Sequence, residues 1–299
     1  MERCYDELRE RLSDNSQRVE KALSECVSGA DEHYGVIFEA QRYSLLGGGK
    51  RIRPFLVNEC ARLLGAGEEK SMPLACAVEM IHTYSLIHDD LPCMDDDDMR
   101  RGRATNHKKY GEAFALLAGD ALLTGAFRVI GQAEALDSET KAAAVTVLAQ
   151  AAGDCGMIGG QVIDLLGEKK QLDFDTLIKL HAHKTGALIR VSVLLGCLAA
   201  GYKADHPYTQ RILSFGEKIG LAFQVVDDIL DVTATEAELG KTVGSDADSN
   251  KTTFLSFYSV DEAQAFAQRL TAEALSEISD LDGSETLSDL ACYLLDRRN

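Results

Sequence analysis

No tryptophan occurs in the 299 residues, and proline occurs only four times, at 54, 73, 92 and 207. So few breakers, in a chain rich in Ala, Leu, Glu and Lys, argue against many short strands and for long helices. The eight cysteines, at 4, 26, 60, 76, 93, 155, 197 and 292, form no CxxC pair. That removes a zinc-ribbon or disulfide framework and leaves buried, reduced thiols of a cytoplasmic protein as the reading. Positive charge is short as well. With 31 Lys and Arg against 48 Asp and Glu, the net charge is −17, which argues against nucleic acid or an anionic membrane surface as partner. An anionic ligand must then be met by local basic clusters or by bound cations. The N-terminus, MERCYDELRERL, lacks an apolar core segment, so no signal peptide is expected. The longest uncharged apolar run, VSVLLGCLAAGY, falls short of the ~20 residues a bilayer requires, so no membrane span is expected either.

What is present is helical periodicity. Leu8, Leu12, Val19, Leu23 and Val27 fall at helical spacings, as do Phe266, Leu270, Ile278 and Leu281. The stretches 113–130 and 185–200 are apolar on most faces and read as central helices buried by their neighbours. Breaks fall at Gly47–Gly49, Leu64–Ser71, Asp137–Glu139, Gly167–Gln171, Asp205–Pro207, Gly240–Asn250 and Asp282–Glu285, which are bundle-length loops. The fold class expected is all-α, a single helical bundle. The segment GKTVGSDADSNKTT, with two lysines, reads as a mobile flap.

Two acidic clusters carry the chemistry. In FQVVDDILD, apolar on one side, Asp227 and Asp231 stand at i and i+4 and project from one helix face. Carboxylates that close repel unless a cation or a basic group lies between them. The other cluster, HDDLPCMDDDDMRRGR, crowds six aspartates into ten positions and follows them with arginines. Asp89 and Asp95 are six apart, about 120° in azimuth on an ideal helix, with Pro92 between them. A bend or bulge at Leu91–Met94 is required to bring both toward one ligand. Hard oxygen donors without neighbouring Cys or paired His suit Mg²⁺ rather than zinc, and the order of an EF-hand is absent. Mg²⁺ completes its shell with phosphate oxygens, so two such clusters imply a phosphorylated ligand between them.

The basic residues agree. GGGKRIRP sets Lys50, Arg51 and Arg53 after a glycine run, and it is not a Walker A loop. Arg100, Arg101 and Arg103 follow the aspartates, and paired guanidiniums suit a diphosphate. His82 precedes Asp89 by seven residues, two turns along the same face, and HKTGALIR places Lys184 and Thr185 at the head of an apolar helix.

Together HDDLPCMDDDDMRRG and FQVVDDILD resemble the two aspartate-rich motifs of the trans-isoprenyl diphosphate synthases. LLGGGKRIRPFL, IHTY, GGQVIDL, HKTGALIR, LGKTVGSD and NKTTF match supporting blocks, from about residue 35 onward. Within that family the likeness is to the bacterial members that make farnesyl diphosphate. The resemblance implies one polyprenyl synthase domain over 1–299, of the isoprenoid synthase type with a central cavity, working as a cytoplasmic homodimer. It implies three Mg²⁺ ions, held by Asp89, Asp95 and Asp227 with Asp231 in support. Arg100, Lys184 and Lys241 would grip an allylic diphosphate (dimethylallyl or geranyl). Lys50, Arg53, His82 and Arg101 would hold isopentenyl diphosphate, so that Arg100 and Arg101 would face two different diphosphates rather than neutralise the adjacent acids, and Lys251 would belong to the closing flap. Thr185 and Gln224 would face an allylic cation with acceptor oxygens. Tyr84 and its neighbour Ser85, with Pro92 and Cys93 as extra residues in the first motif, imply a fifteen-carbon product. The rivals are a synthase of the twenty-carbon geranylgeranyl diphosphate, a terpene cyclase, and a non-catalytic subunit of a heteromeric synthase. One block departs from the family: Asn250–Leu255 stands where it reads GKxTYP, with Lys251 kept and the proline missing.

Overall fold

A computed structural model describes residues 5–233 and 251–297. Thirteen α-helices occur among the described residues, beginning with α1 (Asp6–Cys26), α2 (Gly35–Leu45), α3 (Ile52–Leu63) and α4 (Glu68–Asp89). A hairpin of two-residue strands, β1 (Met99–Arg100) and β2 (Arg103–Ala104), separates α4 from α5 (Asn106–Tyr110). Then follow α6 (Glu112–Gln132), α7 (Ser138–Ala152), α8 (Met157–Gly167) and α9 (Phe174–His181). A π-helical turn, Ala182–Gly186, joins α9 to α10 (Ala187–Ala199). The long α11 (Pro207–Thr233), a short 3₁₀ turn (Phe254–Ser256), α12 (Val260–Ile278) and α13 (Glu285–Leu295) complete the order.

The all-α reading holds, and the caps show why the helices start where they do. Asp137 accepts from the Thr140 amide at 2.7 Å and Asp173 from that of Thr176 at 2.8 Å, and Ser259 and Glu262 form a reciprocal capping box. The break read at Leu64–Ser71 is shorter than expected, because Glu68 and Glu69 open α4, where acids suit a helix N-terminus.

Helix α10 is the central post. Nearly every one of its side chains is buried, against α3, α4, α7 and α11, which is why its sequence is apolar all round. Helix α6, expected to be equally enclosed, is not: it packs on α4 and α2 but leaves Phe114, Leu116 and Leu117 exposed. Three stretches, Glu112–Gln132, Ser138–Gly167 and Phe174–Ala199, are long and apolar enough by length and composition to cross a membrane. The expectation of no such span rested on unbroken uncharged runs, whereas these three stretches are apolar around a few charged residues. Cys26, Cys60, Cys76, Cys93, Cys155 and Cys197 are free thiols. Cys93 and Cys155 are exposed rather than buried, because they sit in turns between helices.

Candidate active site

Helix α4 ends at Asp89, and the chain then turns back on itself. The Met94 amide donates to the Leu91 carbonyl at 2.8 Å, Asp96 to the same carbonyl at 3.2 Å, and Asp95 to the carbonyl of Asp89 at 2.9 Å. Pro92 cannot continue the helix, and Asp96 takes a left-handed φ of 52° to close the turn. The bend required at 91–94 is therefore present, and it brings Asp95 directly beside Asp89. Burial pushes the Asp89 carboxyl up to about 6; Lys184 and Arg100 pull it down, while Asp95 and Asp164 add to the rise. Asp90, with its side chain 4% exposed, is likewise raised to about 6 by burial.

Arg100 corrects one expectation. Its Nε donates to Asp90 at 2.7 Å and its Nη2 lies 3.4 Å from Asp97, so this arginine does neutralise the acids before it. A carboxylate so far removed from water takes the nearest cation, and the hairpin folds Arg100 back over the end of α4. Lys108 similarly pairs with Asp98 at 2.6 Å.

The facing wall is built from α8, the π-helical turn and α11. The widened turn gives Lys184 and Thr185 their position, and Gly160 makes it possible. A Cβ at 160 would lie 2.2 Å from the Lys184 backbone nitrogen. Lys184 Nζ bonds Asp164 at 2.5 Å, and Lys251 Nζ stands 3.8 Å from both Asp164 and Asp95. Thr185 donates to the Gln224 side-chain oxygen at 3.0 Å, which ties the head of α10 to α11 one turn before the second acidic cluster. Within that cluster the aspartates diverge. Asp227 is bonded by Arg297, whose guanidinium also lies 4.5 Å from the Phe223 ring. Asp231 is buried on the same helix at 4% exposure. Asp228 is buried too, accepting from the Phe254 amide at 2.8 Å and from Gln224 at 3.1 Å, with His181 3.8 Å away. The departure from the family block is absorbed here, since Phe254 is fully buried against Phe174, His181 and Phe266. Lys241 and most of the proposed flap lie outside the described residues.

Between these walls lies a cavity of about 590 Å³. Its lining combines polar side chains, among them Asp89, Lys184, Thr185, Arg53 and His82, with apolar ones such as Leu116, Leu123, Ile158 and Leu165. Tyr84 and Ser85 line it as well. The Tyr84 hydroxyl is buried without a partner, and burial raises it to about 12. The Tyr84 ring meets His88 edge-on at 5.6 Å. A second chamber of about 160 Å³ adjoins the first and shares Arg53 and His82 with it. Lys50, Arg101 and Arg297 complete its basic lining. Burial and the surrounding arginines hold His82 well below its usual range, so it is neutral. The glycine run serves Arg101: its guanidinium donates to the Gly48 carbonyl and lies 2.9 Å from where a Cβ on Gly49 would stand.

Ten of the candidate residues thus surround two connected chambers: Lys50, Arg53, His82, Tyr84, Ser85, Asp89, Arg101, Lys184 and Thr185 in their linings, and Asp95 bound back to Asp89. Gln224 is attached through Thr185, and Lys251 through Asp95 and Asp164. Arg100 turns to Asp90, and Asp227 to Arg297. Residues that sequence reasoning gave no role are Asp164, Glu79, His88 and Arg297. GGQVIDL held the signal for Asp164, an acid at a helical spacing from the glycine that abuts Lys184. A tertiary ion pair such as that of Arg297 leaves no local pattern.

The profile of polyprenyl synthetases matches residues 35–286. A farnesyl diphosphate synthase of Haemophilus influenzae is 41% identical over 290 residues, covering 97% of this chain and 98% of that one. The chain belongs to the polyprenyl synthetase family. The chloroplastic geranylgeranyl pyrophosphate synthase of Capsicum annuum is 44% identical over 292 residues, covering 96% of this chain and 78% of that enzyme. Among solved structures, a geranyltransferase from Helicobacter pylori, complexed with magnesium and isoprenyl diphosphate, superposes with a TM-score of 0.81 at 35% identity, covering 95% of this chain and 96% of that one. The chain is accordingly a short-chain prenyltransferase by family, and relatives of both product lengths lie at similar distance.

Proposed function

We propose that the protein condenses isopentenyl diphosphate with dimethylallyl or geranyl diphosphate to give farnesyl diphosphate and pyrophosphate. The observation that carries this reading is the pair of chambers that share Arg53 and His82. One is small and basic, with room for a diphosphate. The other sets Asp89 and Lys184 beside a largely apolar lining, the combination an allylic diphosphate with a growing tail requires.

Mg²⁺ fits the donor set. Asp89 and Asp95 adjoin at one rim, and all donors are carboxylate oxygens. Asp89 and Asp95 would hold two ions and Asp227, backed by Asp231, a third. When bound, they neutralise the diphosphate that departs as the allylic cation forms. Lys184, Lys251 and, after release from Asp90, Arg100 bring further positive charge to that leaving group, with Lys241 as the remaining family cation. Thr185 and Gln224 present oxygens toward the cation, stabilising it without capturing it. Lys50, Arg53 and Arg101 orient isopentenyl diphosphate so that its alkene attacks, while neutral His82 donates a hydrogen bond without adding charge. A proton is then lost to the released pyrophosphate. Enclosure by the Lys251 segment keeps out water that would quench the cation.

Tyr84 and Ser85 set the product length in this reading. A twenty-carbon product is the second reading, favoured by the 44% identity to the Capsicum enzyme. A terpene cyclase has no use for the second basic chamber, and a non-catalytic subunit would be expected to lack one of the acidic clusters. The reading includes a single domain over 1–299, a cytoplasmic location, and a homodimer that covers exposed Phe114 and Leu117 of α6. Incubation with both diphosphates, with and without Mg²⁺, tests it. A Mg²⁺-dependent fifteen-carbon product is expected; a twenty-carbon product selects the second reading, and no product rejects both.

A further inference from the structure

Lys50, Arg51 and Arg53 all line the small chamber, but the guanidinium of Arg51 is taken up by acceptors of the protein itself. Arg51 occupies the N-terminal cap of α3 with φ at 48°, a left-handed backbone that a side-chain-bearing residue adopts only when its surroundings hold it there. Its side chain is fully buried. Nη1 bonds the Glu79 carboxylate at 2.7 Å, and Nη2 bonds the Leu45 carbonyl at 2.7 Å and Glu20 of α1 at 3.2 Å. Glu79 itself has a side chain only 3% exposed and sits on α4, one turn before His82.

Glu79 is also the one carboxylate among the described residues lining that chamber, where Lys50, Arg51, Arg53, Arg101 and Arg297 supply the cations. A buried acid beside an anion site opposes the ligand, so its presence calls for a compensating task. Its charge reaches beyond Arg51, since it also stabilises the charged forms of Arg53 and Arg101. Removal would leave the fully buried Arg51 with only the partly exposed Glu20 as a charged partner, at the corner between Lys50 and Arg53.

We propose that Glu79 is a positioning residue for the isopentenyl diphosphate site, anchoring Arg51 so that Lys50, Arg53 and Arg101 are arranged before the diphosphate arrives. This rests on the function proposed above. Glu79 touches no substrate; it acts through the arginines, and through the shared α4 face it fixes their register to His82.

The test is Glu79→Gln, which keeps the shape and removes the charge, assayed for each substrate separately. The KM for isopentenyl diphosphate should rise about tenfold or more, while the KM for the allylic diphosphate changes less than about threefold. Arg51→Lys should produce the same selective rise, and Glu79→Asp should recover part of it. Glu59→Gln is the structural control: Glu59 is another buried acid, paired with Arg11 and Arg62 away from the chambers. It should lower the melting temperature and leave the ratio of the two KM values unchanged. An unaltered isopentenyl KM in Glu79→Gln, or an equal rise in both KM values, overturns the inference. Should Glu79→Gln fail to fold, Glu79→Asp and Arg51→Lys decide by the same ratio. A wild-type protein without prenyl transfer would reject the proposed function instead. Calorimetry with inorganic pyrophosphate then decides for Glu79: binding weakened about tenfold in Glu79→Asp or Arg51→Lys supports it, and equal or absent binding overturns it.

Discussion

At the scale of single residues, the chemistry turns on carboxyl groups removed from water. Asp89 and Asp90 are both held at about 6 by burial, so near pH 6 each is partly protonated. Metal binding needs the carboxylate and displaces the proton, so apparent Mg²⁺ affinity should fall as pH drops below about 6, by up to about tenfold per unit for each proton displaced. Calorimetric Mg²⁺ titrations at pH 7.5 and pH 5 check this, and equal affinities would contradict it. Asp89→Asn should bind Mg²⁺ weakly at both pH values. Tyr84 offers a second residue-level outcome. Truncation to Ala opens the 590 Å³ cavity beyond the ring and should shift the product toward longer chains, read by chromatography. Unchanged fifteen-carbon output would remove Tyr84 from the role of stop. At this scale much was legible, because Asp89 stands out by charge and spacing, and Lys50, Arg53, His82, Lys184 and Thr185 stand in blocks that resemble those of the family. Asp90 and Asp228 did not: whether an aspartate in a run faces solvent or a buried arginine depends on the hairpin and on Phe254, which lie far from it in the pattern.

At the scale of elements, the periodicity gave the helices and Pro92 the need for a bend at 91–94, but the caps and the π-helical turn on which the site also depends went unread. An ideal helix separates Asp89 from Asp95; the Asp95 amide bonded to the Asp89 carbonyl at 2.9 Å rejoins them. Pro92 signals the break, but the hydrogen bond that closes the turn is visible only in three dimensions. The π-helical turn at 182–186 is likewise silent in sequence, since a one-residue widening barely alters apolar spacing. Gly160→Ala tests what that turn does. The added methyl would meet the Lys184 backbone at 2.2 Å and 2.6 Å, which must shift the turn or α8. The cost in stability should be about 1–3 kcal/mol, with kcat down about 100-fold and the isopentenyl KM little altered. Steady-state kinetics beside thermal melting separate the two effects, and a wild-type kcat would show that Lys184 tolerates the displacement.

For the whole molecule, the net charge of −17 and the basic chambers are two sides of one design: cations are scarce, and they are gathered where an anion must bind. The all-α architecture was legible from missing prolines and apolar spacing. The burial of α10 followed from composition, whereas the open face of α6 did not, because an apolar helix that walls a cavity looks like one enclosed by protein. Buried histidines give the fold a pH dependence of definite sign. Burial lowers His181 to about 4, against an unfolded value near 6.5. Its contribution is therefore fully present above about pH 6.5, is lost as pH falls toward 4, and amounts to about 3 kcal/mol. Denaturant unfolding at pH 7 and pH 4.5 should show this loss in the wild type and a smaller one in His181→Phe; equal losses would place the proton elsewhere. The central claim is tested most directly by supplying isopentenyl and geranyl diphosphates with Mg²⁺ and identifying the product. The two-chamber site predicts farnesyl diphosphate, absent when Mg²⁺ is withheld. Folded protein that yields no condensation product, or yields one without any divalent cation, would contradict it.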